Sequence, residues 1–121
     1  MYEQSYAFSF EAAHSLPDSD DVGYQRVHGH SFVVTATLRA AALADDKWVC
    51  DFADVRAACD DVKSRLDHRV LNDDPGIARP TLENVAAWIF AELALRLPAL
   101  AMVEVARPTL GERVSFAPPR A

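Results

Sequence analysis

Alternation with a period of two governs residues 2–14 and 28–40, so the chain must open with sheet rather than helix. Between Tyr2 and His14, one parity carries Tyr2, Tyr6, Phe8, Phe10, Ala12 and His14, and the other carries Ser5, Ser9 and Glu11. The pattern resumes in HGHSFVVTATLRA, with His28, His30, Phe32, Val34, Ala36 and Leu38 on one face. Ser31, Val33, Thr35, Thr37 and Arg39 take the other, as in a strand half-buried in a sheet. The apolar parity therefore holds three histidines: His14 closing the first run, His28 and His30 opening the second.

If the two runs pair antiparallel, the end of the first lies beside the start of the second. Residues two apart on a strand point the same way, about 6.5–7 Å apart, so His28 and His30 project together and His14 can join them. Three neutral imidazoles bring three acceptor nitrogens and no compensating charge. A divalent cation satisfies all three, and zinc with three histidines and one open position is a known catalytic arrangement. Nickel, copper or iron would accept the same ligands, and a lone histidine on such a face reads simply as a hydrogen-bonded core or rim residue.

Further along, LPDSDDVGYQ (16–25) is an acidic loop rich in turn residues. AALADD leads to a short apolar strand, Trp48-Val49-Cys50. Asp51 is placed to cap a helix over 52–66, with Asp54 in its first turn and Phe52, Val55, Cys59, Val62 and Leu66 at helical spacing. LNDDPG (71–76) is turn chemistry. Thr81 starts a second helix with Val85, Trp88, Ile89, Leu93 and Leu97 as its stripe, stopped by Pro98. Met102–Val105 and Arg113–Phe116 read as strands joined by the turn PTLG, and 116–121 as a frayed tail. The order β-β-α-α-β-β predicts an α+β fold, an antiparallel sheet with two helices on one face, in one domain over 1–121.

A net charge of −6 argues against nucleic acid and anionic membranes, and no segment has the roughly 20 apolar residues of a membrane span. Cys50 and Cys59 form no disulfide framework, which makes a cytoplasmic location the expectation.

FEAAH (10–14), HGHSF (28–32), DF (51–52), LDH…LND (66–73) and PTLEN (80–84) together resemble the 6-pyruvoyl-tetrahydropterin synthase / 6-carboxytetrahydropterin synthase family. The resemblance implies the T-fold, whose subunits join into an oligomeric barrel, commonly a homohexamer built as a dimer of trimers with active sites between subunits. It implies Zn²⁺ on His14, His28 and His30, and a lyase acting on a reduced pterin such as dihydroneopterin triphosphate, eliminating triphosphate or losing a two-carbon fragment. Asp67 and His68 match the family's acid–base pair. From the residues alone, they are equally a helix C-terminus where a cationic histidine is favoured. Thr81 and Glu83 match the segment lining the pterin pocket, and they also read as ordinary helix capping.

Two positions depart from the family. Its catalytic Cys lies four residues before the HGH motif, where this chain has Tyr24. A phenol titrates near 10 and a thiol near 8.5, so Tyr24 is the poorer base. Asp18, Asp20 and Asp21 could supply a carboxylate instead, or form a solvated loop. The family's late-strand Glu, which grips the pterin N–H groups, is replaced in register by Arg107; Glu104 faces the other side, and the next acid is Glu112. Arginine has donors only and favours a carboxylate or phosphate. Two other readings thus stay open: a non-catalytic oligomer binding a small anionic or heterocyclic ligand, and metal-assisted hydrolysis.

Overall fold

The two alternating runs pair along their whole length. In the computed structural model, which describes residues 1–119, β1 (Tyr2–His14) and β2 (His28–Ala40) are antiparallel in unbroken register from Tyr2 opposite Ala40 to His14 opposite His28. A short helix, α1 (Val22–Gln25), interrupts their connection; α2 (Phe52–Leu66), α3 (Leu82–Ala94), β3 (Leu100–Arg107) and β4 (Glu112–Phe116) follow. The sheet has the order β1-β2-β3-β4, antiparallel throughout. The expected β-β-α-α-β-β order is thus realised with two added helical turns, α1 and a 3-10 turn at Pro108–Leu110.

One face of this sheet is the core. Phe8, Phe10, Phe32, Val34, Ala36, Leu38, Val103 and Val105 are buried there. The helices cover that face with Val55, Cys59, Val62 and Leu66 from α2 and Val85, Ile89 and Leu93 from α3. Asp51 caps α2 by accepting from the Ala53 N–H at 2.9 Å, and Thr81 caps α3 by accepting from the Asn84 N–H at 3.2 Å. Each oxygen satisfies a donor that a helix start leaves orphaned.

Four local expectations are corrected. The acidic loop contains α1 because Asp21 caps it, accepting from the Gly23 N–H at 2.8 Å. Cys50 is not on a strand. Asp45 and Asp46, both at positive φ, make a tight turn that bridges Ala44 to Trp48, and the chain then bends directly into the Asp51 cap. Phe52 is 44% exposed and not part of the α2 stripe. Phe116 ends β4, its ring 5.4 Å from Phe90, instead of starting the tail; residues 120–121 of that tail lie outside the described residues.

The outer edge of β1 is partly covered. After α2, the chain runs beside β1: the His68 N–H donates to the Glu11 carbonyl at 2.6 Å, Ala13 to Arg69 at 2.9 Å and Leu71 to Ala13 at 2.9 Å. Asp67 fixes the start of this pairing, its carboxylate accepting from the Glu11 N–H at 2.9 Å. That hydrogen bond, aided by His68, lowers the Asp67 pKa below the usual carboxylate value.

Two predictions follow from this packing. Phe32 is fully buried, with its ring 4.9 Å from Phe10 and under 6 Å from His14 and His30. Phe32→Ala should lower unfolding free energy in urea by about 3–5 kcal/mol, whereas a loss below about 1 kcal/mol would mean that the site collapses around the deletion. Because folding depresses the Asp67 pKa, its contribution is complete above the unfolded value near 3.9 and disappears as pH falls through the folded one. The stability gap between the wild type and Asp67→Ala should therefore be full at pH 7 and shrink below pH 4; a gap that widens on acidification would contradict the assignment.

Candidate metal centre

The β1–β2 register sets His14 directly opposite His28 and Ala12 opposite His30, so the three rings gather at one end of the core face. Their centroids stand 4.6, 5.1 and 4.7 Å apart, edge to face, and one nitrogen from each lies within 4.8 Å of the others. Two rings are oriented from behind. His14 Nδ1 lies 2.8 Å from the Pro80 carbonyl and His28 Nδ1 lies 2.7 Å from that of Arg26. A carbonyl only accepts, so both Nδ1 atoms carry the proton and both Nε2 atoms are acceptors. Those Nε2 atoms are buried and have no partner among the described residues.

Buried acceptors without donors are costly, and a cation facing them removes the cost. The arrangement therefore fits a divalent metal, and the backbone carbonyls supply the orienting contact that metal-binding histidines usually have. The charge state agrees. Burial pushes His30 down to about 4, with the Arg107 charge and the other two histidines adding to the effect. His14 is also lowered, chiefly by burial. Both rings are neutral at pH 7, the form that coordinates.

The neighbouring residues close one side of this centre. The Leu16 N–H donates to the Tyr24 carbonyl at 2.8 Å, folding α1 back so that the Tyr24 ring stacks on His28 at 5.1 Å and 18°. Arg107, 8% exposed at the end of β3, has its guanidinium carbon 5.9 Å from the Tyr24 ring and Nη1 3.5 Å from His30 Nε2. Arg107 pairs in register with Glu112 across the β3–β4 hairpin, and Nη2 lies 2.9 Å from its carboxylate. Tyr24, Thr81, Glu83, Arg107 and Glu112 together line a cavity of about 480 Å³.

Asp67 and His68 lie elsewhere. Their side chains pair at 3.1 Å, with His68 79% exposed at a left-handed φ of 60°. His68 shares a hollow of about 470 Å³ with Glu11, Ser31, Arg69 and His30. Glu11 and Ser31 belong to the parity opposite the three histidines. No hydrogen bond or ring contact among the described residues joins this pair to the histidine cluster. The loop carboxylates are also occupied or exposed: Asp21 caps α1, Asp18 pairs with Arg79 at 3.4 Å, and Asp20 faces solvent. Burial raises the Cys50 thiol and pushes Cys59 up to about 11, which makes both poor nucleophiles.

Several supporting groups escape sequence reasoning. The Pro80 carbonyl that orients His14 is backbone and carries no side-chain signal. Asn72 brackets Ser15, accepting from its N–H and donating to its carbonyl at 2.9 Å each, and so fixes the chain just after His14. The LND tripeptide marks that residue without revealing its partner. Glu112 joins the site only through the hairpin register.

The sequence profile of the family described as 6-pyruvoyl tetrahydropterin synthase matches residues 3–118. The chain is 42% identical to the 6-carboxy-5,6,7,8-tetrahydropterin synthase of Synechocystis over 117 residues, 92% of this chain and 90% of that protein. It is 32% identical to the dihydroneopterin monophosphate aldolase of Pyrococcus furiosus over 93 residues, 77% of this chain and 75% of that protein. Its fold superposes on Caenorhabditis elegans 6-pyruvoyl tetrahydropterin synthase with a TM-score of 0.82 at 24% identity, covering 98% and 96% of the two chains. The match across nearly the whole length establishes that this chain belongs to the 6-pyruvoyl tetrahydropterin synthase family.

Proposed function

We propose that the protein is a zinc-dependent lyase acting on a reduced pterin, such as dihydroneopterin triphosphate or a close relative of it. The observation that carries this reading is the pair of buried, partnerless Nε2 atoms on His14 and His28, converging with His30 beside the cavity of Tyr24, Thr81, Glu83 and Arg107. Similarity to a carboxytetrahydropterin synthase and to an aldolase favours loss of a carbon fragment from the pterin side chain.

His14, His28 and His30 are the proposed ligands. Zinc held there supplies Lewis acidity toward oxygens of the substrate side chain. The remaining steps belong to the protein. The Asp67 carboxylate holds one tautomer of His68, leaving the far ring nitrogen free to move a proton. No direct contact joins that pair to its own histidine cluster among the described residues, and in the proposed assembly a second copy brings it to the site. This fits the homohexameric assembly expected of a T-fold, with active sites between subunits. Tyr24 stands where the family's thiol stands and would exchange a proton through its phenol. Thr81 and Glu83 offer oxygens to the heterocycle's N–H groups, while Arg107 meets an anionic group.

Arg107 favours a second reading in which the same pocket holds a small anionic or heterocyclic ligand without turning it over. Product identification separates the two. Purified protein should contain about one zinc per subunit. Chelation should abolish conversion of dihydroneopterin triphosphate, and zinc should restore it; binding without product at full zinc loading would favour the second reading. His28→Ala should lose zinc. His68→Ala should retain zinc and the assembly yet lose about a hundredfold or more in kcat, the range expected for a general acid–base group. Unchanged turnover in His68→Ala would sink the acid–base role.

A further inference from the structure

Arg107 occupies a position that conflicts with metal binding. Its Nη1 lies 3.5 Å from Nε2 of His30, one of the three rings whose nitrogens gather within 4.8 Å of one another. A neutral imidazole has one acceptor lone pair, which can face an N–H donor or a cation but not both. The guanidinium is also a permanent positive charge that repels a divalent ion at this range. The residue is 8% exposed and its Nη2 lies 2.9 Å from the Glu112 carboxylate, which keeps the guanidinium beside His30 until another anion competes for it. Its Nε is buried without a partner among the described residues, so the group retains donor capacity, and the residue lines the cavity with Tyr24, Glu83 and Thr81.

Resting on the zinc reading above, we infer that Arg107 competes with the metal for His30 Nε2 and thereby couples metal occupancy to that of an oxyanion in the cavity. An anionic oxygen accepting from Arg107 draws the guanidinium off His30 and offsets its charge, so the cation binds more tightly. Linkage makes the effect reciprocal: the metal strengthens anion binding by the same factor. The ligand class is a small molecule carrying a carboxylate or phosphoryl group next to its metal-facing oxygens. Glu112 is the resident counter-charge that keeps Arg107 partly neutralised when no such ligand is present.

The experiment is a zinc competition titration against a chromogenic chelator, with the purified full-length wild type, Arg107→Met and Glu112→Gln, each with and without inorganic sulfate. Circular dichroism establishes that each variant is folded. Arg107→Met should bind zinc at least tenfold more tightly than the wild type. Glu112→Gln, which frees the full charge of Arg107, should bind it several-fold more weakly and provides an independent reading should Arg107→Met fail to fold. Sulfate should tighten zinc binding severalfold in the wild type and not in Arg107→Met. Zinc affinity unchanged in both variants, or an equal sulfate effect in Arg107→Met, overturns the inference alone. Failure of zinc to bind any of the three proteins overturns the zinc reading together with it.

Discussion

The register between β1 and β2 is the constraint on which the rest depends. A strand pair slipped by one residue sends every side chain of one strand to the opposite face. Here that slip would expose Phe32 and Val34 and carry His28 and His30 away from His14. The core therefore enforces the site: the burial that holds Phe8, Phe10, Phe32 and Val34 on one face is what places the three imidazoles together at its end. Each large aromatic contributes about 1.5–3 kcal/mol of burial to that single alignment, far more than any imidazole could contribute to finding it.

Given that alignment, the electrostatics of the site are unusual in their economy. Three neutral rings provide coordination without charge, and Glu112, one of the carboxylates lining the neighbouring cavity, is paired with Arg107. Arg107 sets a permanent positive charge beside His30, and its donors suit an anion.

Much of the architecture was legible because it is periodic. Alternation marks β1 and β2, helical spacing marks α2 and α3, and Asp51 and Thr81 mark their caps. The gathering of His14, His28 and His30 follows from parity plus antiparallel pairing, both readable in a single chain. What remained hidden depends on aperiodic contacts. Tyr24 reaches His28 only through a loop helix and one backbone hydrogen bond from Leu16. Glu112 reaches Arg107 only through the register of a late hairpin. Asp67 and His68 lie beside β1 because the segment after α2 pairs with its edge.

The carbonyl behind His14 belongs to Pro80, whose ring fixes its own φ and whose next residue is the cap of α3. That carbonyl is joined by one peptide bond to the residue that caps the helix. Thr81 and Glu83, on the same turn, line the cavity. A chain of a hundred and twenty-one residues has little room for separate parts, and here the carbonyl that orients one ring and two residues of the cavity wall sit together at the start of one helix.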